Sequence, residues 1–409
     1  MKVEKCKGFR DLSPEEMAKF RFIEDVFRDC CLKTGYQEIR TPTLEYLYLF
    51  TSVGTLTPGM LGRVYSFLDW DGWSGERVVL KPDGTIPVAR FYIDRIKRGL
   101  ARLFYVTNVF MFEETGKKSR ERWQCGAELI GASSALADVE LVVLALDVLK
   151  RLGLEGVKIK ISHAGLIKEV LSSLEISPQE QTRVFDQILE GNMEALAGIK
   201  SDKPELVEAL TLLLGQKGKS SGFLKNMKAL FLQSLPQFKP SLESFIGVVD
   251  LLEELGYDYR IDMASGKGFE YYTGVIFHLY IGKEMVGGGG RYDALIPLMG
   301  GEDTPAAGFA LYLDRLMMLV EPEALAEPVN KRILIRFTQK AMKEGLGIAS
   351  LLREAGFTAE LALNGQEAAQ YGWILEVRSK KPLFILTDQV SHRRLEAQTM
   401  EEVLALLKR

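Results

Sequence analysis

The stretch Arg102–Ala132, RLFYVTNVFMFEETGKKSRERWQCGAELIGA, decides how the chain is read. Residues 102–112 are dense in β-branched and aromatic side chains, which is the chemistry of a strand. Residues 113–122 form a charged loop, and WQCGAELIGA resumes as a second strand. Two strands joined this way predict an antiparallel hairpin. Just beyond it, residues 134–152 carry an apolar helical pattern closed by Gly153, and upstream RVVLKPDGT ends in a turn at Pro82-Asp83-Gly84. Nearer the N-terminus, Ser13, Pro14 and Glu16 make a capping box with proline at the first helical position. Met17, Phe20, Ile23, Phe27 and Cys30 or Cys31 follow at helical spacing, with a stop at Gly35. The two cysteines read as core packing rather than redox chemistry.

Residues 165 to about 255 change character, being rich in Leu, Glu and Lys. Pro178, Pro204, Pro236 and Pro240 divide them into short helices, a helical insertion. Strand chemistry resumes over 257–283, followed by VGGGGRYDAL (286–295) and an apolar helix near 306–320. The stretch 320–332 has two prolines and reads as a linker. After it RILIRF, a helix containing LLREAG, TAELAL, a helix near 366–372 and PLFIL alternate, which predicts parallel pairing. The expected organisation is one domain over 1–325, with the insertion at about 165–255, and a small α/β domain over 331–409. No internal repeat is visible.

Across 409 residues, Lys plus Arg is 52 and Asp plus Glu is 55, for a net charge of -3. A dedicated polyanion binder is usually more basic. Within 331–409, 13 basic residues face 9 acidic ones, a net of +4, so the rest of the chain carries -7. Four cysteines without a CxxC pair make neither a disulfide scaffold nor a zinc site, which fits a reducing cytoplasm. MKVEKCKGFRDLSPEE lacks the apolar core of a signal peptide, and the greasiest run, Leu141–Leu149, is far short of the ~18 residues that span a bilayer. The histidines, His163, His278 and His392, show no metal-ligand spacing, so no metal site is expected.

Several clusters of polar residues gather at strand ends and turns: Lys81–Thr85, Gln124–Glu128, Lys267–Gly274, and Gly287–Asp293 with Gly308–Ala310. A free amino acid needs a carboxylate for its ammonium, a cation for its carboxylate and a match for its side chain. Asp83 or Glu270 suits the ammonium, Lys267 the carboxylate, and Glu128 with a tyrosine hydroxyl a nitrogenous side chain such as imidazole. The bland reading of each is a solvated charge or a strand with one polar face. GGGGRYD lacks both the GKS/GKT ending of a P-loop and the setting of GxGxxG, and reads as a tight turn needing positive φ. His163 reads as a cap or loop histidine.

Taken together, GFRDLSPEE, RTPTLE, LKPDGT, FMFEETGKKSRERWQCGAELIG, GFEYYTGVIF, GGGGRYD and GFALYLDRL are collinear with segments of class II histidyl-tRNA synthetases, which the chain resembles over residues 8 to about 320. The tail resembles a shortened anticodon-binding domain. The resemblance implies an α+β fold: a class II aminoacyl-tRNA synthetase-like antiparallel sheet flanked by helices, with a helical insertion and a small C-terminal α/β domain.

The catalytic pattern of those enzymes is altered here. Met111 stands where FRYE has arginine, Lys267 and Glu270 where RGLDYYT has arginine and aspartate, and Lys81 and Asp83 where LRPEGT has arginine and glutamate. Tyr312 replaces a glycine on the nucleotide side, and Asp314 the glutamate of a Glu-Arg pair. Arginine offers a rigid fork of donors, whereas methionine offers none and lysine a point charge. The groups suited to histidine remain: Asp83, Thr85, Gln124, Glu128, Tyr271 and Tyr272, with Lys267.

DGTIPVAR, SHAGL, YYTG and GFALYLDRL are more similar to the ATP phosphoribosyltransferase regulatory subunits, a family paralogous to the synthetases. That resemblance implies a non-catalytic subunit without cofactor or metal, a short-form catalytic phosphoribosyltransferase partner, and histidine as feedback effector. It also implies a homodimer within a hetero-oligomer, with no role for tRNA or membrane. The retained tail keeps a second reading open, a divergent histidyl-tRNA synthetase that charges tRNA using ATP. A third is a synthetase-like protein with another ligand.

Overall fold

The structure is a computed structural model that describes residues 4–54, 56, 60–70, 75–111, 119–189, 199, 204–215, 217–231, 236–263, 271–321, 331–363 and 370–407. The chain divides into two compact units, Met1–Val320 and Glu321–Arg409.

The first unit begins with the helix Pro14–Lys33, whose capping box is formed: the Glu16 amide donates to Ser13 Oγ, and the Ser13 amide to Glu16 Oε2 at 2.8 Å. Phe20, Ile23, Phe27, Cys30 and Cys31 are its buried stripe. Gly35 follows at φ +85, the left-handed conformation that glycine adopts without penalty. The strands of this unit are β1 (Gln37–Glu38), β2 (Leu44–Tyr46), β3 (Ser66–Trp70), β4 (Gly75–Leu80), β5 (Ala101–Phe110) and β6 (Glu121–Ile130). They continue with β7 (Val157–His163), β8 (Lys217–Gly218), β9 (Tyr259–Asp262), β10 (Val275–Ile281), β11 (Glu284–Arg291) and β12 (Ala306–Tyr312).

Nine of them form one sheet in the order β1-β5-β6-β12-β11-β10-β7-β9-β8, and β2-β4-β3 form a small separate sheet. The expected hairpin is β5–β6, antiparallel with Ala101 opposite Ile130. Antiparallel pairing runs unbroken from β5 to β7, and the sheet is mixed only because β1–β5 and β7–β9 are parallel. The helix Ala135–Arg151 carries a long buried stripe that includes Val139, Val142, Ala145 and Leu149.

Two expectations are corrected here. Residues 306–312 are a central strand, and the helix covers only Leu313–Leu319. A strand buried on both faces reads as an apolar run that periodicity cannot tell from a buried helix. The glycine run is no turn: Gly287–Gly290 lie in β11, and none has positive φ. Glycine is needed there because neighbouring strands press close. A Cβ on Gly287 would lie 2.7 Å from the Ala310 carbonyl oxygen, and one on Gly288 2.8 Å from that of Phe277.

Helices Ala164–Ser173, Pro178–Leu189, Pro204–Gly215, Ser221–Phe231 and Lys239–Glu254 fill the region between β7 and β9, with the two-residue β8 among them. His163 caps the first, its Nδ1 accepting from the Leu166 amide at 3.3 Å. Burial, with the Arg291 guanidinium nearby, pushes this imidazole down to about 3, so it is a neutral structural group.

The second unit holds β13 (Arg332–Phe337), β14 (Thr358–Leu361), β15 (Trp373–Val377), β16 (Phe384–Asp388) and β17 (Arg394–Ala397), in the order β14-β13-β15-β16-β17. Parallel pairing holds for β14-β13-β15 and gives way to antiparallel pairing through β15-β16-β17. The links before β16 and β17 are too short for a crossover. Three elements escaped the reading of the sequence, β15, β17 and the terminal helix Met400–Leu407. Most of the helix expected near 366–372, and most of the expected linker, lie outside the described residues.

One buried ion pair fastens the first unit's sheet to its long helix. Arg291 on β11 is 5% exposed and meets Asp138 Oδ1 at 2.8 Å, while its Nη1 donates to Asp293 Oδ1 and to the Ala132 carbonyl, both at 2.9 Å. Removing one member strands a buried charge, which costs about 3–5 kcal/mol. Arg291→Met is therefore expected to lower unfolding stability by about that amount in urea titration, and Arg291→Met with Asp138→Leu to recover most of it.

Candidate functional site

The turn Pro82-Asp83-Gly84 delivers the first site residue. Asp83 is buried, and its Oδ1 accepts from the Ile86 amide at 2.9 Å as the helix Thr85–Phe91 begins. Burial pushes its carboxyl up to about 6, against the pull of those backbone donors, so it is mostly ionised at neutral pH. Tyr271 donates its hydroxyl to Asp83 Oδ2 at 3.5 Å, and its ring meets Tyr272 at 5.2 Å and Tyr292 at 5.5 Å between centroids.

The register of the sheet explains the floor. Tyr105, Gly126, Ala310, Gly288 and His278 are consecutive cross-strand partners from β5 to β10 and share one face. Three small residues between two rings leave a trench in the sheet. Gln124 pairs with Tyr312 in the next row on one side, and Glu128 with Gly308 on the other. The result is a cleft of about 450 Å³, part of it open to solvent, walled by Asp83, Thr85, Gln124, Tyr271, Tyr272 and Tyr292, among others.

Five of the expected ligand residues, Asp83, Thr85, Gln124, Tyr271 and Tyr272, thus line one cleft. Glu128 lies just beneath its wall. Its Oε1 accepts from the Thr85 hydroxyl at 2.8 Å and the Tyr105 hydroxyl at 3.1 Å, and its Oε2 from the Tyr292 hydroxyl. Gly308 is glycine because a side chain there would fall on this carboxyl. The Tyr105 ring crosses Gly84 and Gly126, which accounts for the glycines of LKPDGT and WQCGAE. Lys267 and Glu270 lie outside the described residues.

Burial pushes the Glu128 carboxyl up to about 8, with Asp83 adding repulsion, even though the Tyr292 and Thr85 hydroxyls favour its charge. Lys81 turns away from the cleft. It is fully buried, its Nζ donates to Thr41 Oγ1 at 3.1 Å, and burial pushes it down to about 8.

The groups at the far end of β5, β6 and β12 answer to their own chain. Met111 is half-buried and donates its amide to the Arg120 carbonyl at 3.1 Å. Arg120 donates to the Tyr65 hydroxyl at 3.1 Å beneath Gly8. Arg315 is paired with Glu284, and Asp314 holds Arg10 at 2.9 Å and the Trp123 amide at 2.7 Å. Tyr312 lines the cleft on that side.

Two cleft residues, Tyr292 and His278, were not singled out from sequence as ligand groups, nor was Tyr105, which holds Glu128 beneath the wall. Tyr105 and His278 sit in apolar strand runs, where only the register aligns them with the glycines. Tyr292 belonged to a motif taken for a turn.

Comparison with known proteins agrees with this architecture. The family model described as histidyl-tRNA synthetase matches residues 8–316. The solved structure of an ATP phosphoribosyltransferase regulatory subunit/histidyl-tRNA synthetase from Bacillus halodurans superposes with a TM-score of 0.77 at 26% identity, covering 92% of this chain and 98% of that one. The fold is that of the class II synthetases. An ATP phosphoribosyltransferase regulatory subunit of Dehalococcoides mccartyi is 53% identical over 406 residues, 99% of this chain and 98% of its own length. A histidine–tRNA ligase of Methanocaldococcus jannaschii is 34% identical over 381 residues, 89% of this chain and 87% of the relative. The chain belongs to the histidyl-tRNA synthetase family and, within it, to the ATP phosphoribosyltransferase regulatory subunits.

The Glu128 site has a pH signature. A carboxyl raised to about 8 in the fold, against 4.5 in the unfolded chain, is protonated in the native state over the interval where the unfolded state has released its proton. The native state then binds more protons, so stability is full below about 4.5 and falls as pH rises to about 8. Urea unfolding at pH 5 and pH 8 is expected to show this loss in the natural chain, and Glu128→Gln to reduce it.

Proposed function

We propose that this chain is the non-catalytic regulatory subunit of ATP phosphoribosyltransferase, needed for the first step of histidine biosynthesis and for its feedback inhibition by histidine. It works in the cytoplasm, holds histidine in the cleft and assembles with a short-form catalytic subunit. The observation that carries this reading is the uneven fate of the ancestral site. The groups suited to an amino acid are gathered in one cleft, while the nucleotide side has Met111 and Tyr312, and Arg315 is held by Glu284. In this reading Asp83 takes the ammonium, and the hydroxyls positioned by Glu128 meet the imidazole. A single transition-state cation is worth about 3–4 kcal/mol, so a site without these arginines would bind histidine and fail to activate it.

The purified chain is expected to bind histidine in calorimetry and to show no histidine-dependent ATP–pyrophosphate exchange. Asp83→Asn is expected to weaken histidine at least tenfold, since a buried charge-assisted hydrogen bond is lost. Robust exchange would overturn this reading in favour of the divergent synthetase.

Homodimerisation belongs to the same proposal. Among the described residues the β3 strand pairs only with β4, and Phe67 and Leu68, which point to opposite faces, are both exposed, as is Trp70. Tyr46 and Tyr48 stack beside one another and are also exposed. An apolar edge strand bare on both faces calls for a cover, and a second copy supplies it in this reading. Leu68→Glu with Trp70→Lys is expected to shift the chain from dimer to monomer in light scattering, with its circular dichroism unchanged.

A further inference from the structure

The ligand's ammonium and imidazole have partners in the reading above, while the residue expected for its carboxylate, Lys267, lies outside the described residues, and no described residue has yet been given to that group. One residue of the cleft has no role so far. Of the described side chains that line it, His278 is the only one able to carry positive charge. It lies on β10 and is 3% exposed, so its imidazole is held by the fold rather than by solvent.

Its surroundings aim it. Across the strand pair its partner is Gly288, and a Cβ on that glycine would lie 2.9 Å from His278 Cδ2. The absent side chain lets the imidazole lean over the trench floor. On its other flank the cross-strand partner is Lys160, whose Nζ is 4.7 Å from the centroid of the Tyr280 ring. That ammonium is engaged on an aromatic face and does not line the cleft. Tyr272 and Tyr312 complete this part of the lining.

We propose that His278 is the specificity residue that reads the ligand's α-carboxylate, donating an imidazole N–H to it while Asp83 takes the ammonium. The proposal rests on the reading that the cleft holds a free amino acid. An imidazole donates to a carboxylate whether neutral or charged, and the bond strengthens when charge assists it. With an anion at Asp83 and a donor at His278, the cleft selects a zwitterion over an amine or an acid alone.

The test is calorimetry on the full-length chain with two probes, histidine and histamine, which lacks the carboxylate. His278→Phe, which keeps a ring and has no donor, is expected to weaken histidine about tenfold or more and to leave histamine within about twofold. His278→Lys, which keeps a cation, is expected to preserve the preference for histidine, and it carries the test if the phenylalanine variant does not fold. Equal losses for both probes in His278→Phe, or loss of the preference in the folded lysine variant, would overturn the assignment while leaving the histidine reading intact. No histidine binding by the unaltered chain would overturn both.

Discussion

One buried carboxyl organises the site. Glu128 accepts hydroxyls from Thr85, Tyr105 and Tyr292, which come from the helix after the PDGT turn, from β5 and from the end of β11. Of the three, Tyr292 is far from the others in sequence. A carboxyl this deep is tolerable only because its oxygens are satisfied and it stays largely protonated near neutral pH. Room for it comes from Gly308, and the Tyr105 ring it holds takes its own room from Gly84 and Gly126. The glycines of three separate motifs, Gly84, Gly126 and Gly308, are thus explained by one packing constraint.

The two ends of the cleft are held differently. The end at Asp83 and Glu128 is built from backbone register and mutually bonded hydroxyls, so altering one member disturbs the rest. The other end is held by single side chains. Such a side chain can be exchanged, as the resemblance to the synthetases implies for Met111, or paired with a neighbour, as Arg315 is with Glu284, with little effect on packing. In the proposed function, loss of catalysis beside retention of a binding cleft follows from this difference.

Much of this was legible in sequence. Capping at Ser13, the β5–β6 hairpin and the helix after Ser134 are signalled by local chemistry, and local chemistry decides them. The glycine run and residues 306–312 were misread because their conformation is set by neighbouring strands, which a single strand's periodicity does not record. In the second unit β15 was passed over, although Ile374, Leu375 and Val377 are buried in it. Of the expected site residues that line the cleft, Asp83 was picked out as a polar break at a strand end, and Thr85, Gln124, Tyr271 and Tyr272 through the resemblance to the synthetases. His278 was not, since an isolated histidine in VIFHLYI gains meaning only from standing opposite Gly288.

In the proposed function, histidine acts through this chain on a second protein. The most direct measurement is phosphoribosyl transfer by the short-form catalytic subunit, titrated with this chain in the presence and absence of histidine. Transfer is expected to rise with added chain and histidine to suppress the rise, with a coupling of about 1–3 kcal/mol. Transfer that is indifferent to the chain, or stimulation that histidine leaves untouched, would contradict it.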